Sequence, residues 1–512
     1  MKKSFVLLLA LVVLVTGTGY YAQNELLKEK DQVHYTERAL YGDKSVVEGV
    51  TVEAAPRYGY FLYWNTKYQI ENEPNEETEY NMYPWEMQLE RYQYPGSLSF
   101  ARDSEIQLQI GITNYEKDTY YGLEKAIKEL YDKTSPGTEN MVTVKLKDYL
   151  DYYNFTMDLE LPDSVERGFY GHYPLEQVNE LREDLAHWEE TGTNKEEAKR
   201  VRKYLEALDV FQEFFKIPVL DNEVYTIGMA KDEGGRVIGM SESSVNGGSS
   251  AGQMNIPDAP QVEGMDSFTL NTYSVFDNGD CYFTIDPHTF NENVVDVSQI
   301  PGGYGIYHFT YDKNAEINLD NLKMVYPLDV NVHFVDMCVD ASGMNLILFT
   351  SDEENHYMSI IERESMTLVN TFNLGNREFY LSNWIYDDFL VTLTDKLMVF
   401  PLGEDGRYTQ AFAVNRQEIE DTMLEITDSQ YFLRNGSSLD WDGEQLLIAS
   451  DIRYEVDYGR IATCSFYVAV IDESGLVYYG EYDSSLKTNN ENYDGCHFGS
   501  NYENPIRVYW SK

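Results

Sequence analysis

The chain has 512 residues, 43% hydrophobic and 14% aromatic, enough apolar surface to bury a substantial core. Its 87 Asp and Glu against 39 Lys and Arg leave a net charge of −48, a field that repels nucleic-acid phosphates and anionic lipid headgroups and excludes both as broad partners. A chain longer than about 300 residues needs several domains or a repeat that spreads the core along it.

The amino terminus opens with Lys2 and Lys3, followed by an uninterrupted apolar run from Phe5 to Val15. Such a run has the length of a signal-peptide core. The charge-free stretch from Ser4 to Asn24 is also long enough to span a bilayer, with Tyr20 and Tyr21 placed as interfacial aromatics. Cleaved signal and retained anchor (residues 1–23) both stand. Either way the lysines stay inside and the rest of the chain faces outward, past a polar stalk over 24–48.

From residue 49 the pattern is β. "YGYFLYWNTKYQI" (58–70) and "SLSFARDSEIQLQI" (97–110) read as strands. Two stretches depart from it: a short helix over Leu123–Tyr131 and a helical hairpin over 174–216. Leu175, Val178, Leu181 and Leu185 mark the buried face of the first helix; Val201, Tyr204, Leu205, Leu208 and Phe211 mark that of the second. Thr193 with Glu196 reads as a capping box at the second start. Residues 117–216 are expected as an insertion that also carries strands around Val142–Leu161.

Beyond it, one pattern recurs: a short apolar strand, an Asp/Gly turn and a second apolar strand. It appears at 225–241, 275–286, 334–352, 384–394 and 439–450. Anchored on Asp232, Asp277, Asp340, Asp387 and Asp442, the intervals are 45, 63, 47 and 55 residues. After "FVDMCVDASGMNLILFTSD" and after the last copy a second hairpin follows, giving four antiparallel strands in sequence. A four-stranded unit recurring at this spacing predicts an all-β fold, a β-propeller of about seven blades with a small helical insertion. The tail "IRVYW" (506–510) is expected to pair with "VTVEA" (50–54) and close the ring. Tandem β-sandwich domains are the alternative architecture.

The chemistry is sparse. H-E-x-x-H, G-x-S-x-G and the P-loop are absent, and "GGYG" (302–305) lacks dinucleotide-site spacing. Ser484–Lys487 fits S-x-x-K without its usual companions. His288, His308 and His333 sit in or beside strands and read as packing residues rather than ligands. Cys281, Cys338, Cys464 and Cys496 share no CxxC spacing; free thiols and bridges both stand, and no zinc knuckle or other metal ligand set is proposed. No cofactor is expected, Ca²⁺ being the cation that the acidic clusters would take. Those clusters are Asp352, Glu353, Glu354 and His356, and Asp440, Asp442 and Glu444.

Propellers bind ligands on the connections into the innermost strand and between the second and third strands. Arg377, Arg434, Glu353, His356, Arg453 and Tyr454 fall there, and two arginines at equivalent places would hold an acidic ligand in forked hydrogen bonds. Tyr83 and Trp85, in the aromatic run 80–96, offer a stacking platform. The expectation is a non-enzymatic binding or scaffold protein displayed on a bacterial cell surface. Its partner would be a protein or glycan, and it would touch the membrane only through its amino-terminal segment. The alternative is a carbohydrate-active enzyme that uses the clustered carboxylates.

Overall fold

A computed structural model describes residues 15–18, 20, 33–58, 62–71, 75–82, 106–110, 124–148, 151–152, 155–159, 175–219, 221, 224–244, 272–288, 294–312, 317–427, 433, 437–456, 459–485, 496–498 and 506–510. The chain divides into two compact units, one of Met1–Phe100 with Leu374–Lys512, the other of Ala101–Asn373. Both are dominated by antiparallel sheets, and the fold is all-β of the propeller class, with strands that follow one another in chain order within each four-stranded sheet.

In the 101–373 unit, β11 (Thr272–Asp277), β12 (Asp280–Ile285), β13 (Gly305–Tyr311) and β14 (Ile317–Pro327) form one such sheet. β15 (His333–Val339), β16 (Asn345–Ser351), β17 (Asn355–Glu362) and β18 (Thr367–Asn376) form the next. Asp/Gly chemistry sets the hairpins. Asn278 and Gly279 both take positive φ (49° and 91°), as a two-residue loop matched to the strand twist requires. Asp340 folds its carboxylate back onto its own turn: Oδ1 accepts from the Met344 and Asn345 backbone N–H groups, and Oδ2 accepts from the Asn345 side chain at 2.7 Å. All seven residues of β16 are buried, which explains its continuous apolar run, whereas β18 is exposed over its first five residues. That gradient is what a blade shows from its interior to its outer edge.

Among the described residues the α-helices of this unit are α1 (Glu124–Lys133), α2 (Leu175–Thr191) and α3 (Lys195–Phe214). On α2 Leu181 is buried and Leu185 half-buried, and the side chains of Leu175 and Val178 lie outside the described residues. The expected face of α3 holds, with Val201, Tyr204, Leu205, Leu208 and Phe211 all buried. They pack on the 272–327 sheet. Phe211 meets Phe283 and Phe309 edge-on, and Phe215 meets Tyr307 at 4.9 Å. A fully buried Phe contributes roughly 1.5–3 kcal/mol, so the pair of helices shares this sheet's core. The capping box is a correction. The residue before α3 is Asn194, left-handed at φ 47°, with no side-chain cap; this reversal starts the helix one residue late for Thr193, whose hydroxyl bonds Thr191 instead. Within 117–216, β7 (Glu139–Lys145) pairs with β9 (Val224–Lys231), which pairs in turn with β10 (Val237–Ser244). β6 (Ile106–Ile110) pairs with β8 (Phe155–Leu159).

In the other unit, β19 (Ser382–Ile385), β20 (Phe389–Leu393), β21 (Lys396–Pro401) and β22 (Phe412–Asn415) form a four-stranded sheet, followed by α4 (Arg416–Ile426). β23 (Ser438–Trp441), β24 (Leu446–Val456), β25 (Gly459–Asp472) and β26 (Gly475–Ser484) form another. β1 (Tyr35–Tyr41) adds to the edge of β26, so the expected polar stalk is sheet over these residues, with a 3-10 turn at Lys44–Val47 after it. β2 (Val50–Ala54), β3 (Pro56–Tyr58), β4 (Leu62–Gln69) and β5 (Asn75–Met82) join β27 (Cys496–Phe498) and β28 (Ile506–Trp510) in a last sheet. Val50 pairs with Trp510 and Ala54 with Ile506, the strand pairing expected from the sequence. Val50, Val52, Ile506 and Val508 all point into one core.

Candidate functional site

The residues expected to bind a ligand fall in several places. Glu353 is exposed in the β16–β17 turn, while His356 is buried at the start of β17, opposite Ser351. Arg377 lies half-buried in the connection from β18 to β19. Arg453 and Tyr454, expected in a loop, sit within a strand opposite Ala462 and Ile461, because the β24–β25 ladder continues to Val456 past a bulge at Asp451/Arg453. Arg434, Tyr83 and Trp85 lie outside the described residues.

The carboxylates proposed for catalysis are engaged in local structure. Asp352 accepts from the Glu354 and Asn355 backbone N–H groups and from the Tyr357 hydroxyl, each at 2.8 Å. Asp442 accepts from the Glu444 and Gln445 N–H groups. Asp440 accepts from the Trp510 N–H at 2.7 Å, satisfying an edge group of the closing strand. Turn chemistry accounts for Asp352 and Asp442, and pairing with a strand edge for Asp440.

The two ends of the 272–327 and 333–376 sheets differ. At the hairpin end, Arg363 reaches Asp277 Oδ2 at 2.5 Å, Asp280 Oδ2 at 3.2 Å and the Gly343 carbonyl at 2.8 Å. Its guanidinium also lies over the Tyr282 ring. His308 Nε2 bonds Asp280 Oδ1 at 2.8 Å, so this histidine is the packing residue that was expected. At the opposite end, Asp286 and His288 follow β12 and His333 opens β15. Asp286 Oδ1 accepts from the His288 backbone N–H and stands 2.6 Å from His288 Nδ1. The His288 and His333 rings lie 3.7 Å apart between centroids, tilted by 30°. Asp286 and His288 are buried and His333 is half-buried, and one donor atom from each falls within 4.8 Å of the others. Nearby in sequence, the hydroxyl of Tyr304 is buried with no hydrogen-bond partner among the described residues. Burial, and then the charge of Asp286, push its pKa up.

In the other unit, the connection 377–381 displays aromatic surface. Tyr380 is 78% and Phe379 40% exposed, beside Arg377. Asn376 shapes the turn, taking Asp395 Oδ1 on its N–H and accepting from the Glu378 N–H and, through its carbonyl, from the Phe379 N–H. Elsewhere in this unit, Glu481 is buried and paired with Arg38, with Thr427 Oγ1 donating to it at 2.7 Å. Cys464 is buried and disulfide-bonded, whereas Cys281 and Cys338 are not in disulfides. Among the described residues no helix is long and apolar enough to cross a membrane; the apolar run Phe5–Val15 lies outside them but for its last residue.

No protein-family model and no curated protein matches the chain. Among solved structures, a protein from Lactobacillus plantarum is similar at 10% identity and TM-score 0.24, over 51% of this chain and 79% of its own. A putative 6-phosphogluconolactonase from Bacteroides fragilis aligns at 11% identity and TM-score 0.22, over 51% of this chain and 68% of its own. The Dos1 propeller aligns at 8% identity and TM-score 0.20, over 52% and 67%.

Proposed function

We propose that the protein is an extracytoplasmic, surface-displayed β-propeller that binds a protein or glycan partner without turning it over. The observation that carries this reading is the 377–381 connection, which exposes Phe379 and Tyr380 shortly after Arg377 in the chain. Exposed aromatics with an adjacent arginine are what sugar platforms and protein hot spots are made of, because a rigid ring covers area at little entropic cost. A disulfide at Cys464 supports an oxidising compartment. The lysine-led apolar amino terminus supports export, with the membrane touched only through that segment. The engagement of Asp352, Asp440 and Asp442 in turns and at a strand edge weighs against the carbohydrate-active alternative.

The test is an array of glycans and bacterial surface proteins probed with the full chain and with a Phe379→Ala/Tyr380→Ala variant. Binding of one class, weakened at least about tenfold in the variant, is the expected outcome. Release of cleaved sugar from any arrayed polysaccharide, or binding indifferent to the two rings, would overturn the reading. Mass spectrometry of the mature amino terminus separates a cleaved signal from a retained anchor.

A further inference from the structure

We propose that Asp286, His288 and His333 form a binding site for a divalent transition-metal ion of the zinc class. The site is independent of the surface loop argued above and lies within the 101–373 unit.

Three observations support it. First, the residues come from two separate stretches that the fold brings together, the segment after β12 and the first residue of β15. Second, their donor atoms already lie within 4.8 Å of one another, and two of the three side chains are buried. A tetrahedral ion with ligands at about 2.0–2.2 Å holds its donors roughly 3.3–3.6 Å apart, so small side-chain shifts complete the set. Third, Asp286 Oδ1 accepts from the His288 backbone N–H and stands 2.6 Å from His288 Nδ1, so the carboxylate and this imidazole nitrogen already converge on one place where an ion can take both.

His308 shows what a packing histidine looks like in this same sheet: one ring nitrogen on one carboxylate, with an aromatic neighbour. The other end of the sheet is arranged differently. There two imidazole rings lie 3.7 Å apart between centroids, tilted by 30°, and Asp286 stands beside one of them. Imidazole and carboxylate together favour Zn²⁺, Co²⁺, Ni²⁺ or Cu²⁺ over Ca²⁺ and Mg²⁺, which take oxygen ligands. The buried Tyr304 hydroxyl, 4% exposed at the residue level, supplies a further polar group on the stretch that leads into β13.

The full chain, stripped with chelator, is titrated with Co²⁺ followed by visible absorption and with Zn²⁺ followed by calorimetry. The expected result is one equivalent bound, a ligand-field spectrum of nitrogen and oxygen donors, a raised melting temperature, and no displacement by Ca²⁺. Asp286→Asn and His333→Gln each weaken binding at least about tenfold while keeping the metal-free melting curve. His288→Ala is the third variant, and if it does not fold the other two decide the matter. The proposal falls if no Co²⁺ spectrum appears, if Ca²⁺ competes equally, or if His333→Gln binds like the parent chain, since the metal would then sit on the acidic surface.

Discussion

The two ends of the 272–327 and 333–376 sheets use carboxylates in opposite ways. At the hairpin end Asp277 and Asp280 face a guanidinium, and Asp340 is wrapped by backbone N–H groups. At the other end Asp286 faces imidazoles. A permanently charged arginine and a set of N–H dipoles leave a carboxylate nothing further to do; a carboxylate beside imidazoles belongs to the donor set of the proposed metal site. The lesson is that in a chain with 87 acids the partner, more than the acid, tells structure from site.

The comparison can be erased, broken at one end, or sharpened. Alkali erases it. Burial holds the phenols of Tyr35, Tyr304, Tyr307, Tyr386, Tyr479 and Tyr482 well above their ordinary value of 10. Their raised folded pKa means the stability they carry is complete below pH 10 and is lost as pH climbs past it. Each costs the folded state about 1.4 kcal/mol per pH unit above 10. Absorbance of phenolate against pH should therefore show a late, cooperative step that coincides with loss of near-UV circular dichroism; a smooth, independent titration would contradict it.

Arg363→Ala breaks the hairpin end alone. It leaves Asp277 and Asp280 without their cation and the Gly343 carbonyl without its donor, at a cost of about 2–3 kcal/mol in urea unfolding. Arg363→Lys keeps the charge without the fork and should lose less. Zinc affinity at the opposite end should be unchanged in both. Asp340→Ala is the gentlest, about 1–2 kcal/mol, because exposed turn N–H groups can find water while Asn345 cannot fully replace its 2.7 Å partner. A loss as large as that of Arg363→Ala would show that the turn, rather than the guanidinium, holds this end.

Much of the fold was legible because its causes are local. Asp340 and the turn at Asn278–Gly279 announce hairpins through residues that tolerate tight-turn backbone, and Val201 to Phe211 announce a buried face through helical spacing. The pairing of 50–54 with 506–510 was legible from matching apolar strands. The Thr193 cap failed because a left-handed Asn194 shifts the helix start by one residue, a detail of backbone rather than of pattern. The loop reading of Arg453 and Tyr454 failed because the β24–β25 ladder runs on past a bulge.

The candidate metal site was hidden by sequence distance. Asp286-Pro287-His288 could have been noticed as two donors one residue apart, but His333 lies 45 residues beyond His288 and reads by itself as the start of a strand. The sequence by itself determined strands, turns and helix faces, since hydrophobic period and turn chemistry act between neighbours along the chain. Only the tertiary structure decided which acids are spent on turns and which meet histidine, because that depends on where separate sheets bring their ends together.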